Sequence, residues 1–151
     1  DEGWGLYAES LADELGLMPT PEDRFGRLAA RRWRLARVLV DLGVHSRLPV
    51  PDDVAALPGA SREWNRATVT AVLRHHTVIS EGRLRFEVSR HLGWPAQPLA
   101  YAVGERVWQA GRRSARAQAR TEGGELDLRA FHNRGIDLGS VGLDLLASAL
   151  H

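Results

Sequence analysis

Apolar residues recur at helical spacing along most of this chain, and nowhere do apolar and polar residues alternate with period two for more than a few positions. A half-buried strand requires that alternation, because its successive side chains point to opposite faces of a sheet. The spacing therefore predicts an all-α fold, an irregular bundle of about six to seven helices.

Local stop and start signals set the expected boundaries. Trp4, Tyr7, Leu11 and Leu15 define a first helix over 3–16 that Gly16 ends. Thr20 caps a long second helix, with Pro21 in its first turn and Glu22 and Asp23 at the positive end of its dipole. Phe25, Leu28, Leu35, Leu39 and Leu42 form one apolar stripe on it, and Trp33, Val38, Val40 and Val44 fill other angles. Its second half is expected to be buried nearly all round. Pro49, Pro51, Pro58 and Gly59 make 46–60 a connection with room for a short turn from Asp52 to Leu57. Ser61 is the expected cap of a third helix running to His76, and Gly82 breaks the pattern before a short helix over Leu84–Leu92. Pro95 and Pro98 impose a turn, a helix follows from near Pro98 to Thr121, Asp127 caps another through Leu138, and Ser140 caps the last.

A chain of 151 residues buries roughly two thirds of its unfolded surface, so 1–151 is expected to be one α-helical domain. Zero cysteines exclude a disulfide scaffold, a thiolate-held metal and a thiol nucleophile, which leaves His, Asp and Glu as metal ligands. Twenty basic residues against nineteen acidic give a net charge of +1, too weak a field to gather nucleic acid or an anionic membrane. The clusters Arg27, Arg31, Arg32, Arg34, Arg37 and Arg112, Arg113, Arg116, Arg120 are read as solvated faces paired to acids rather than a phosphate-binding surface. No apolar run approaches the ~20 residues of a membrane span. The N-terminus carries no signal-like segment, so the compartment stays open between cytoplasmic and exported. A chain that opens inside a helical pattern without an initiator Met is expected to be part of something longer. His75 and His76 point about 100° apart on a helix and are read as surface residues. His45 follows an apolar stretch that favours a hydrogen-bonded core histidine over a base, and packing is the default for Tyr101. No zincin, P-loop, nucleophile-elbow or dinucleotide motif is present.

Several segments in order carry a more specific signal. They are Glu2-Gly3-Trp4-Gly5-Leu6-Tyr7-Ala8-Glu9, Leu15-Gly16-Leu17, Val40 to His45, Arg90 to Arg106, Asp127 to His132 and Leu138 to Asp144. They recur in order from one end of the chain to the other, with none in the stretch from Leu48 to about Glu87. In these segments the chain resembles the bacterial domain-of-unknown-function 885 family, whose members look like helical zinc metallopeptidases. The resemblance implies a zinc site in two parts, a His-Glu…Pro-Gly-His motif and a Glu-Gly-Trp motif, and only the second exists here, with Glu2 as the carboxylate ligand. A histidine, histidine and glutamate set with an open position lets zinc acidify a water and polarise a peptide carbonyl. By the same resemblance His45 and Tyr101 are candidate donors to the oxyanion, Arg90 and Gln97 are candidate substrate-binding residues, and Trp4 and Trp94 pack around the site. The family's Pro-Gly-Gln…Ser-Tyr-Lys pattern is altered: Ala96 replaces the glycine, and Ala100 and Ala102 flank Tyr101, so the lysine is lost.

The resulting expectation is the C-terminal part of a zinc-dependent peptidase or amide hydrolase. Its partners would be a peptide or amide substrate and an N-terminal half of the same protein, without which it is inactive. The competing expectation is a helical binding or scaffold module without catalysis.

Overall fold

The computed structural model describes residues 2–150. Among them lie eight helices and no strand: α1 (Glu2–Glu14), α2 (Pro21–His45), α3 (Asp52–Ala55), α4 (Arg66–His76), α5 (Glu81–Gly93), α6 (Leu99–Thr121), α7 (Leu128–Ile136) and α8 (Leu143–Leu150). The all-α reading is correct. The chain divides into two compact units, one formed by Asp1–Ala12 with Tyr101–His151 and the other by Asp13–Ala100.

In the second unit α2, α4 and α5 pack against one another, with α3 on α4. Val40, Val69, Val72, Leu73, Leu84 and Val88 form the centre of its core. Thr20 caps α2 as expected, in a reciprocal box with Asp23. The buried side of α2 departs from expectation. Ala36, Arg37, Val40, Asp41 and Gly43 face inward, whereas Phe25, Leu28, Leu35 and Leu42 are exposed, Phe25 to 74%. The face turned to α4 and α5 joins Val40, with Leu39 and Val44 packed beside it, to small and charged residues, so hydropathy alone finds only part of it. Gly43 is required there because a Cβ would lie 2.1 Å from the Trp64 ring.

Three helix starts also differ. Asn65, not Ser61, caps α4 through its side-chain oxygen and the Thr68 N–H; Ser61 instead braces the preceding loop, its Oγ accepting from the Asn65 amide. Ser80 caps α5, so Gly82 lies inside the first turn rather than before the helix, where a glycine costs only about 1 kcal/mol. The first turn of α8 closes on the Gly142 carbonyl, which accepts from Leu146 N–H, so Ser140 stands outside it.

In the first unit Tyr7, Trp108, Phe131, Leu146 and Leu150 form the core. There α1 and α6 touch backbone to backbone: a Cβ on Gly3 would fall 2.3 Å from Gly104 Cα. Neither backbone can yield locally, so Gly3→Ala is expected to destabilise the protein by about 1–3 kcal/mol. Gly5→Ala, whose Cβ meets nothing within 4 Å, should instead be neutral or gain up to about 1 kcal/mol. Urea unfolding of the two variants checks this; equal midpoints would refute the close-crossing argument.

Candidate functional site

Two polar stripes face each other where α2 meets α5. On α2, Arg37, Asp41 and His45 recur every four residues; on α5, Arg83, Glu87 and His91 do the same, with Arg90 beside them. Helical spacing puts each set on one face. Glu87 is fully buried and central: its carboxylate lies 2.9 Å from Arg83 Nη2, 3.4 Å from His91 Nε2, 3.9 Å from Arg90 Nη1 and 4.0 Å from Arg37 Nε. Arg37 Nε donates to His91 Nε2 at 3.2 Å. A guanidinium can only donate, so that nitrogen carries the lone pair and the imidazole is neutral. Burial first, and then the positive Arg37, lower the His91 pKa to about 4.

The turn after α5 is held against these stripes. Ala96 N–H donates to both oxygens of the buried Asp41, at 3.0 and 3.1 Å. Gln97 Oε1 accepts from Arg37 Nη2 at 3.1 Å and from Arg90 Nη2 at 3.2 Å. Ala96 takes a positive φ of 69°, a left-handed conformation that costs an L-residue about 1–2 kcal/mol. Glycine, the residue of the pattern that the chain resembles, would carry no such cost here. Ala96→Gly is therefore expected to raise stability by about 1 kcal/mol while leaving the Asp41 bond in place; a loss of stability in denaturant titration would show that the strain argument is wrong.

The structure thus joins three of the expected site residues, His45, Arg90 and Gln97. His45 Nε2 donates to the His91 carbonyl at 2.8 Å and lies 4.0 Å from Asp41 Oδ1, its side chain 25% exposed. With that N–H engaged by the end of α5, His45 ties the two helices together, and in the neutral tautomer its other ring nitrogen is an acceptor, not a donor for an oxyanion. Arg37 is a correction: expected on a solvated face, it is buried in the network. Sequence reasoning also missed Asp41, Glu87 and His91, although the repeated four-residue spacing on both helices was a usable signal. Arg27 of the same cluster is paired to an acid as expected, Asp13, which Arg24 also approaches. Arg32 Nε donates to His76 Nδ1 at 3.0 Å.

Glu2 and Tyr101 belong to the first unit. Both are half-buried and both stand within a helical turn of the Gly3–Gly104 crossing, Glu2 at the start of α1 and Tyr101 at the start of α6. The crossing gives the Glu-Gly-Trp motif a structural reason for its glycine. Trp4 packs in this unit against Trp108 and His132, and Tyr7 OH pairs with His132 Nε2 at 2.8 Å. Burial, and then Arg112, lower the His132 pKa.

A zinc ion needs three or four donors from His, Asp or Glu in a chain without cysteine. Among the described residues no group of three or more such side chains could hold a metal. Glu2 alone does not make a zinc site, and no chemical step within this chain can be assigned to the ion.

The sequence model of the family described as "Bacterial protein of unknown function (DUF885)" matches residues 1–150. The chain belongs to this family. The DUF885 match includes the stretch from Leu48 to Glu87 in which the sequence segments gave no resemblance, and this stretch contributes α3, α4 and most of α5. No curated protein matches the chain.

Proposed function

We propose that this DUF885 chain serves a zinc-dependent peptidase or amide hydrolase, to which Glu2 gives a carboxylate ligand and Arg90 and Gln97 give substrate-binding groups. The observation that carries this reading is the joining of His45, Arg90 and Gln97, three positions taken from the family pattern, in one hydrogen-bonded cluster around the turn at 94–98. A strained turn braced by a buried carboxylate is a means of holding polar side chains at fixed positions, as a reactive site requires. In this reading Arg90 anchors substrate and Gln97 orients it, and the remaining zinc ligands come from outside the described residues.

The test is metal content and peptide hydrolysis by the full-length gene product. About one zinc per chain is expected. Glu2→Ala should weaken zinc binding by more than the roughly 10–100-fold that follows loss of an outer-shell partner, and hydrolysis should disappear with it. The 151-residue chain alone should not hydrolyse a peptide panel. A folded, metal-free full-length protein would overturn the reading and favour a binding or scaffold module.

A further inference from the structure

The α2–α5 network sets three guanidinium groups, those of Arg37, Arg83 and Arg90, around the single carboxylate of Glu87. Glu87 is held most closely by Arg83, and Asp41 is engaged by the Ala96 N–H. Arg90 is left with one short hydrogen bond, to Gln97 Oε1, and a 3.9 Å separation from Glu87. Its side chain is 24% exposed, so part of it is open to solvent. The guanidinium also lies 5.3 Å from the Trp94 ring centroid, and that indole is 59% exposed. Stacking on an aromatic face fixes the plane of an arginine and presents its edge, the geometry suited to a carboxylate.

A fixed, undercompensated guanidinium edge beside an exposed indole recognises two groups joined through one carbon, a carboxylate and an apolar side chain. We propose that Arg90 and Trp94 form a subsite for the C-terminal residue of a peptide, Arg90 binding the free α-carboxylate and Trp94 the apolar side chain. Gln97, sharing its oxygen between Arg37 and Arg90, holds the Arg90 plane in place. The subsite rests on the peptidase reading only in making the bound peptide a substrate; recognition itself needs no metal and no turnover.

The experiment is calorimetric titration of the full-length protein with N-acetyl-Leu-Phe and with its C-terminal amide. Hydrogen bonds to a charged group favour the acid by about tenfold or more. Arg90→Gln should bring the two peptides within about twofold of each other, and Arg90→Lys should retain part of the preference, since a point charge replaces a fork. Trp94→Ala should weaken acid and amide by the same factor and leave their ratio unchanged. Thermal melts of each variant separate loss of binding from loss of fold. Equal binding of acid and amide to the wild type, or no binding of either, overturns the proposal, as does an acid preference that survives Arg90→Gln in a folded protein. An acid preference without hydrolysis would leave the subsite standing and remove the peptidase reading. Hydrolysis with no terminal preference would do the reverse.

Discussion

Glu87→Ala is expected to destabilise the second unit by about 3–5 kcal/mol, the range for removing one member of a buried ion pair. The cost arises mainly at Arg37. Arg83 is half exposed and can return to water, but Arg37 is 6% exposed and would stay buried beside the neutral His91 and Gln97. Desolvating a guanidinium without the Glu87 charge is what makes the deletion costly, more than the packing that the shortened side chain gives up. Glu87→Gln keeps the shape and an acceptor for Arg83 while removing the charge, so it should fall between wild type and Glu87→Ala. Arg37→Met with Glu87→Leu removes both charges and should recover part of the Glu87→Ala loss, because no buried guanidinium is left without a carboxylate, although His91 Nε2 and Gln97 Oε1 lose the donor that Arg37 gave them. Urea unfolding of the four proteins checks this ordering. A Glu87→Ala loss under about 1 kcal/mol, equal to that of an exposed pair, would mean that the network is not a unit.

Where local chemistry decides a boundary, the sequence was enough. Thr20-Pro21-Glu22-Asp23 starts α2 because the cap, the ring and the acids all act within one turn, and Asp127 caps α7 through Ala130 N–H for the same reason. Ser61 and Asn65 could both cap α4, and the choice between them lay beyond local sequence, because Trp64 must sit against Gly43 on another helix. The buried face of α2 was legible only in part for a related reason: Arg37 and Asp41 are polar by any scale, and they are buried only because α5 brings Glu87 and the 94–98 turn to meet them. Family resemblance reached His45, Arg90 and Gln97 but not the residues that hold them, since a supporting carboxylate is recognised by what it touches. Glu2 was legible as a motif position. Its glycine neighbour acquires a physical meaning only when Gly104 is seen against it.

Between pH 7 and pH 4 the second unit should lose about 3 kcal/mol through His91 alone. The folded protein keeps this imidazole neutral, with a pKa of about 4 against 6.5 for the exposed side chain. Burial is the largest cause and Arg37 the next, with Arg90 adding to them; Glu87 and Asp41 oppose the shift without reversing it. Above pH 6.5 neither the folded nor the unfolded chain protonates the group, and the full stability is present. As pH falls below 6.5 the unfolded chain takes up a proton that the folded chain refuses, so the unfolded state gains. Below about 4 both states are protonated and the loss is complete. Geometry gives the same sign, because protonation would set a second N–H against Arg37 Nε at 3.2 Å, donor facing donor. His76 and His132 are also held below the ordinary histidine pKa, burial being the largest cause in each. His91→Gln retains all of these groups and an amide oxygen that can accept from Arg37, so the difference between wild type and variant isolates His91. That difference should be flat above pH 7, fall through the window and level off below it; a flat profile throughout, or a wild type that gains on the variant as pH drops, would refute the neutral, Arg37-bonded imidazole.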